Sequence, residues 1–307
     1  MIRPEDNELA AHIREVLLEQ AQDVEMHGIN SDQTLNCFIE QIIDSDRRIR
    51  YVNVIRDKSH DESVCDPRTT SFDPLKAAAW HRSNGNNDEA FWLIFLAIHF
   101  GKNLRTGWGL VKGIYGSLNN GTIWTWERVV NDPDAFETWI LNNLDGLKLS
   151  GKYGNHRKYE SLKPGYLNRT ILSYINWIGQ THTNLIDQIN DQGHGDARLM
   201  FRLAYQSMNA VFKFGRMGKF DYLCMIGKMG LISIEPDSMY MKEATGPKDG
   251  AKLLFDGDIK SATKVGILED KVNQLEAKLN LQYGMQVMED ALCNWQKSPD
   301  EFKHFAG

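Results

Sequence analysis

The sequence predicts an all-α fold, and three observations carry that prediction. Apolar residues recur at three- and four-residue spacing through most of the chain. Strand-like alternation is nearly absent, with Tyr51 to Ile55 the single weak candidate. Capping residues precede several periodic stretches, at Asp73-Pro74, Asn84 to Asn87 and Asp132-Pro133-Asp134. A chain of 307 residues can form one large or two modest domains, and 42% hydrophobic content excludes global disorder.

Residues 7–25 and 33–44 predict two amphipathic helices, the first with Leu9, Ile13, Val16 and Leu17 on one face. This block is acidic: through Thr70 there are 8 Lys and Arg against 15 Asp and Glu, while the remainder balances at 27 against 26. Residues 56–73 are polar and aperiodic and contain Pro67, which predicts an exposed loop. The domain reading is therefore an acidic helical appendage with a loop over 1–71, and a helical body over 72–307. In the body, a short helix runs from Asp73-Pro74 to Trp80. The next spans Asp88 to Phe100, and from Phe91 on it is apolar apart from His99. A helix without a polar face belongs in a core. Gly101 ends it, followed by Lys102 and Arg105. Further helices are predicted at 108–118, 124–130, 132–144, 166–178, 183–191 and 197–212. The stripe Val265, Leu268, Val272, Leu275 and Leu279 predicts a packing or coiled-coil face.

Several classes are excluded. Cys37, Cys65, Cys224 and Cys293 are widely spaced without a CxxC pair, which argues against a metal site or disulfide framework and suits a reducing compartment. The N-terminus is charged from Arg3 onward, unlike a signal peptide. The apolar run ending at Phe100 is far shorter than the roughly 20 residues of a membrane span. A soluble cytoplasmic protein without membrane partners is expected. The net charge of −6 argues against indiscriminate nucleic-acid binding, although a local basic face would still hold a duplex. P-loop, dinucleotide-binding, HExxH and GxSxG motifs are absent.

What remains are basic turns suited to phosphate. Gly215-Arg216-Met217-Gly218-Lys219 places glycines before a helix, so backbone N–H groups and the helix N-terminus would meet an anion. The same glycines would equally serve plain helix packing. Ala244 to Lys252 is a second such turn, and Lys152, His156, Arg157 and Lys158 form a third. Among acids, Asp237 follows Pro236 where a helix start is expected, and would act as cap or catalyst. Glu289 and Asp290 lie in an apolar helix, on a solvated face or at the core edge, where a raised pKa would suit proton transfer. Trp80, Trp92, Trp108, Trp124, Trp126 and Trp295 read as core, with one or two free to stack a base.

Five stretches together are similar to a known family: NNDEAFWLIFLAIHFGK (86–102), YGNHRKYESL (153–162), FGRMGKFDYL (214–223), IEPDSMYMKEATGPKDGAKLLF (234–255) and MEDALCNWQKSP (288–299). They resemble the alpha-glutamyl/putrescinyl thymine pyrophosphorylases, clade 3, of bacteriophages and bacteria, over roughly residues 72–300, leaving the acidic block outside. The resemblance implies DNA hypermodification. A pyrophosphorylated 5-hydroxymethyluracil in duplex DNA would lose pyrophosphate to an amine such as putrescine or the amino group of glutamate. It also implies a relation to helix-hairpin-helix DNA glycosylases, hence a glycosylase-like helical body with an N-terminal helical appendage. On that relation Phe214 to Leu223 is the hairpin, Lys219 its lysine, and Asp237, eighteen residues on, stands where glycosylases keep a catalytic aspartate. The pattern departs from the family of glycosylases in having Gly215 and Gly218 instead of GxG, and Thr245 to Lys252 is an alternative hairpin.

The implied mechanism has the hairpin and the Lys152–Lys158 turn bind DNA and the modified pyrimidine flip into a pocket. His99, Lys102 and Arg105 would stabilise the departing pyrophosphate. Asp237, or else Glu289 or Asp290, would take a proton from the attacking ammonium. No metal site or cofactor is evident, though Mg²⁺ would be able to arrive with pyrophosphate. The alternatives are a glycosylase excising a modified base and a non-catalytic DNA-binding protein. The compartment implied is a bacterial or phage-infected cell.

Overall fold

A computed structural model describes residues 2–157 and 160–304. In chain order its α-helices are α1 (Asn7–Asp23), α2 (Asp32–Asp57), α3 (Pro74–Ser83), α4 (Asn87–Phe100) and α5 (Gly109–Tyr115). There follow α6 (Trp126–Asn131), α7 (Pro133–Asn142), α8 (Leu144–Ser150), α9 (Leu167–Ile178) and α10 (His182–Gly193). The last are α11 (Ala197–Ser207), α12 (Arg216–Lys228), α13 (Gly246–Asp256), α14 (Val265–Leu279) and α15 (Gly284–Trp295). Among the described residues there is no strand, only an isolated bridge between Asn103 and Gly107, so the fold is all-α as expected. No helix among them is long and apolar enough to cross a membrane.

The chain divides into two compact units, one of residues 1–52 with 236–306, the other of 53–235. These boundaries differ from the cut at residue 71 drawn from composition.

In the first unit α1 buries Ile13, Val16 and Leu17, and it packs on α14, whose Leu268, Val272, Leu275 and Leu279 are all buried. The stripe on α14 is thus an internal packing face. Gly250 lets α13 lie against α15: a Cβ there would meet the Leu292 carbonyl oxygen at 2.3 Å. The helix predicted over 33–44 does not end there but runs on to Asp57. The polar run from Asp44 continues the helix because its acids pair one turn on, Asp44 with Arg48 at 2.6 Å and Asp46 with Arg50 at 2.7 Å. Tyr51 to Ile55, the one candidate strand, is therefore helical, with Val52 and Ile55 buried at helical spacing. Asp6 anchors the chain start, accepting from Arg47 at 2.5 Å and Arg50 at 2.6 Å.

In the second unit α4 is the central element. Every residue from Glu89 to Ala97 is buried, as are His99 and Phe100. Each large apolar side chain so buried contributes about 1.5–3 kcal/mol. Asn86 caps the helix through the Glu89 N–H, as its position predicts. Helices α3, α5, α6, α10 and α12 pack around α4, and Phe95 stacks on Tyr174 of α9 at 3.7 Å. Residues 56–73 are less exposed than their polarity suggests: a 3-10 turn spans Glu62–Cys65, and Val64 and Phe72 are buried. The helix expected over 197–212 ends at Ser207, followed by a 3-10 turn over Met208–Ala210.

Candidate functional site

The end of α4 positions a cationic cleft, and two glycines make it. Gly101 leaves the helix at φ +67°, a conformation that disfavours any side chain. A Cβ on Gly154 would stand 3.0 Å from the Gly101 backbone, and one on Gly101 would stand 3.1 Å from the Gly154 Cα. With neither present, the Gly154 N–H donates to the Phe100 carbonyl at 2.8 Å. The basic turn at 152–157 thus docks on the final carbonyls of the core helix.

Side chains lock that junction. Asn103 and Gly107 exchange backbone hydrogen bonds at 3.0 and 2.8 Å, and the Asn103 carboxamide oxygen accepts from the N–H groups of Arg105 and Thr106. Its amide nitrogen donates to the Tyr153 carbonyl at 2.9 Å, while the Lys152 N–H donates to the Thr106 hydroxyl at 3.1 Å. Arg157 is only 8% exposed. It donates to the Ile98 carbonyl at 2.8 Å, the Asp221 carboxylate at 2.6 Å and the Met217 carbonyl at 3.4 Å, tying the 3-10 turn Asn155–Arg157 to α4 and α12. The result is a cleft of about 200 Å³ lined by Lys102, Trp108, His156, Arg157 and Asp221 among others. Lys102 is exposed, with its ammonium 5.7 Å from the centre of the Trp108 ring. Arg105 and Lys152 are exposed on the two turns that meet here. Lys102, Arg105 and Lys152 pair with no carboxylate among the described residues.

The predicted residues separate into those this cleft gathers and those it does not. Lys102, His156 and Arg157 line it; Lys158 lies outside the described residues. His99 does not. It is 2% exposed, among Phe95, Phe100, Tyr153 and Phe214, and neither ring nitrogen has a hydrogen-bond partner. Burial, assisted by the Arg157 charge, pushes its pKa down to about 3, so it is a neutral imidazole and no cation for a leaving group. Its last-turn position promised a charge that the surrounding aromatics forbid. A buried polar group without a partner costs about 1–3 kcal/mol. His99→Phe is therefore expected to raise the unfolding free energy by about 1 kcal/mol, read from urea denaturation; a loss of more than that would assign the imidazole an unrecognised partner.

Lys219 also differs from expectation. It is buried, donating to the Asn209 carboxamide at 2.7 Å with its ammonium 4.2 Å from the Tyr205 ring centre, so it holds α12 to the preceding turn. Gly218 is a packing glycine, because a Cβ there would meet the Phe214 ring at 3.1 Å. Gly215 is exposed as the N-cap of α12, and Arg216 opens the helix half-buried. Asp237, Glu289 and Asp290 belong to the first unit. Asp237 sits in an irregular segment rather than at a helix start, and accepts from the Tyr240 hydroxyl at 2.6 Å. Asp290 accepts from Ser45 at 3.3 Å and pairs with Arg48 at 3.4 Å. Glu289 is half-buried on α15.

Two acids at the start of α4, half-buried Asp88 and buried Glu89, find partners that no sequence spacing indicates. Asp88 accepts from the His182 N–H at 2.7 Å and the His182 Nδ1 at 2.6 Å. Against the effect of burial, these bonds hold its carboxyl below the usual range. With Nδ1 donating, the His182 Nε2 accepts from the Tyr174 hydroxyl at 2.8 Å, which in turn accepts from Tyr222 at 2.8 Å. Glu89 accepts from the Tyr115 hydroxyl at 2.6 Å and the Trp126 N–H at 2.7 Å, and burial still pushes its pKa up to about 7.

A family model described as alpha-glutamyl/putrescinyl thymine pyrophosphorylase clade 3 matches residues 33–307. The match takes in α2, which the five motifs had left outside. No curated protein and no solved structure matches the chain.

Proposed function

This chain belongs to the alpha-glutamyl/putrescinyl thymine pyrophosphorylase family, clade 3, and from that premise we propose that it displaces pyrophosphate from a pyrophosphorylated 5-hydroxymethyluracil in duplex DNA with a small amine. The carbon–oxygen bond at the 5-methylene breaks, a carbon–nitrogen bond forms, and the attacking ammonium gives up a proton. The observation that carries this reading is the cleft at the end of α4, where Lys102, His156 and Arg157 meet beside two further exposed cations. Negative charge grows on the leaving oxygen, and a cation already fixed in place stabilises it without reorganising. Arg157 is the fixed member, while Lys102 is free to close on the phosphate. We assign the proton acceptor to His156, in the same cleft, in place of Asp237. Among the described residues no cluster of three or more His, Cys, Asp or Glu could hold a metal ion, so Mg²⁺ would enter bound to the pyrophosphate oxygens. The relation to glycosylases stays part of this proposal: both chemistries need a flipped base, cations and a proton acceptor.

The test is incubation with DNA carrying the pyrophosphorylated base and putrescine or glutamate, following pyrophosphate release and digested nucleosides. Amine-bearing thymine with stoichiometric pyrophosphate supports the reading. Free base with an abasic site identifies a glycosylase, and binding without turnover a non-catalytic DNA-binding protein. Lys102→Ala is expected to lower turnover by about 10²-fold. Arg105→Ala and Lys152→Ala should each reduce the slope of log binding constant against log salt by about 1. An unchanged slope in both would remove these turns from the DNA contact.

A further inference from the structure

We infer that the Asn103–Gly107 turn is a wedge: on duplex DNA, Leu104 enters the base stack and fills the space left by the nucleotide drawn out of it. This rests on the reading above that the chain acts on a base in duplex DNA. Leu104 is 81% exposed. A single exposed leucine carries no information by itself, but three features set this one apart.

The turn that bears it is stiff. Paired backbone bonds close it between Asn103 and Gly107, the Asn103 side chain fills its interior, and both Asn103 and Thr106 are bonded to the neighbouring 152–153 backbone. A wedge must hold its shape against the stack it parts, and a hydrogen-bonded five-residue turn does so. Next, the tip is flanked in sequence by Lys102 and Arg105, with Lys152 on the turn bonded to it, and none is neutralised by a carboxylate among the described residues. An apolar tip between free cations matches a duplex, where phosphates flank an apolar stack. Finally, Lys102, the residue before the turn, lines the cleft assigned to the pyrophosphate. A residue filling the stack here therefore acts beside the pocket that would receive the extruded base.

Leu149 supplies the internal control. It is 89% exposed, yet its neighbour Lys148 is paired with Asp145 at 2.8 Å. Exposure is matched, while the cation next to it in sequence is already paired.

The experiment uses the full chain, without amine, and a duplex with 2-aminopurine next to pyrophosphorylated 5-hydroxymethyluracil. Anisotropy reports binding, and 2-aminopurine fluorescence reports unstacking. The wild-type chain should bind with a rise in fluorescence. Leu104→Ala should bind within about threefold and melt at the wild-type temperature, but lose at least four-fifths of that rise. Leu104→Phe should retain it, and Leu149→Ala should behave as wild type. A full fluorescence rise with Leu104→Ala, or an equal loss with Leu149→Ala, overturns the wedge alone. Wild-type chain that binds no duplex overturns the DNA reading, and the wedge with it.

Discussion

Arg157→Ala is expected to cost about 3–4 kcal/mol of stability and to abolish turnover through the cleft. The guanidinium is buried and bonds to the Ile98 carbonyl, the Asp221 carboxylate and the Met217 carbonyl. Removing it takes the guanidinium away from the Asp221 carboxylate and takes a side-chain donor away from the Ile98 and Met217 carbonyls. The Asp221 side chain is 33% exposed and regains some water, which places the cost toward the low end for a broken buried pair. Arg157→Lys retains the charge but cannot reach α4 and α12 with one planar fork, so it should recover less than half of the loss. Urea unfolding of the three proteins measures this. A cost below about 1 kcal/mol for alanine would show that the turn is held by Gly101 and Gly154 alone.

Glu89 gives the second large effect, and its sign depends on pH. Burial raises its pKa from the ordinary 4.5 to about 7, so the folded chain holds the proton where the unfolded chain has released it. The stabilisation is complete below pH 4.5 and fades as pH rises to about 7. Between those limits the wild-type chain should lose on the order of 3 kcal/mol relative to Glu89→Gln, which cannot ionise. Glu89→Ala behaves differently. It strands the Tyr115 hydroxyl and the Trp126 N–H and opens a cavity, at a cost of about 3–4 kcal/mol relative to Glu89→Gln that varies little with pH. Denaturant unfolding at pH 5 and pH 8 separates the three. A constant gap between wild type and Glu89→Gln would mean that the carboxylate is ionised throughout.

The fold is legible in the sequence where local signals suffice. The apolar run of α4, the Asp132 cap before Pro133 and the stripe on α14 are each decided within a few turns of chain. It is not legible where polar residues find partners along a helix, as at Asp44 to Arg50. There, a run that looks like a helix end is a set of i,i+4 ion pairs. The site was less legible. Lys102, His156 and Arg157 were named but not joined, because their meeting depends on a glycine contact between residues 101 and 154. In sequence, His99 and Lys219 read as groups that meet a ligand, since a sequence cannot tell a charged side chain at a site from one packed on aromatic rings. Asp88 and His182 lie 94 residues apart, and no spacing rule connects them.

The Gly154 amide offers a window on cleft assembly that needs no substrate. Its proton is bonded to the Phe100 carbonyl, an acceptor that α4 itself leaves over at its end. When the 152–157 turn lifts away, that backbone proton loses a partner belonging to the core helix. Its solvent-exchange rate therefore counts how often the cleft comes apart, while the amides inside α4 report the opening of the whole unit. Slow exchange at Gly154, approaching that of α4, would mean a cleft built before DNA arrives. Fast exchange would mean that binding must also supply the ordering of the turn, and the difference sets how much intrinsic affinity is spent on arrangement.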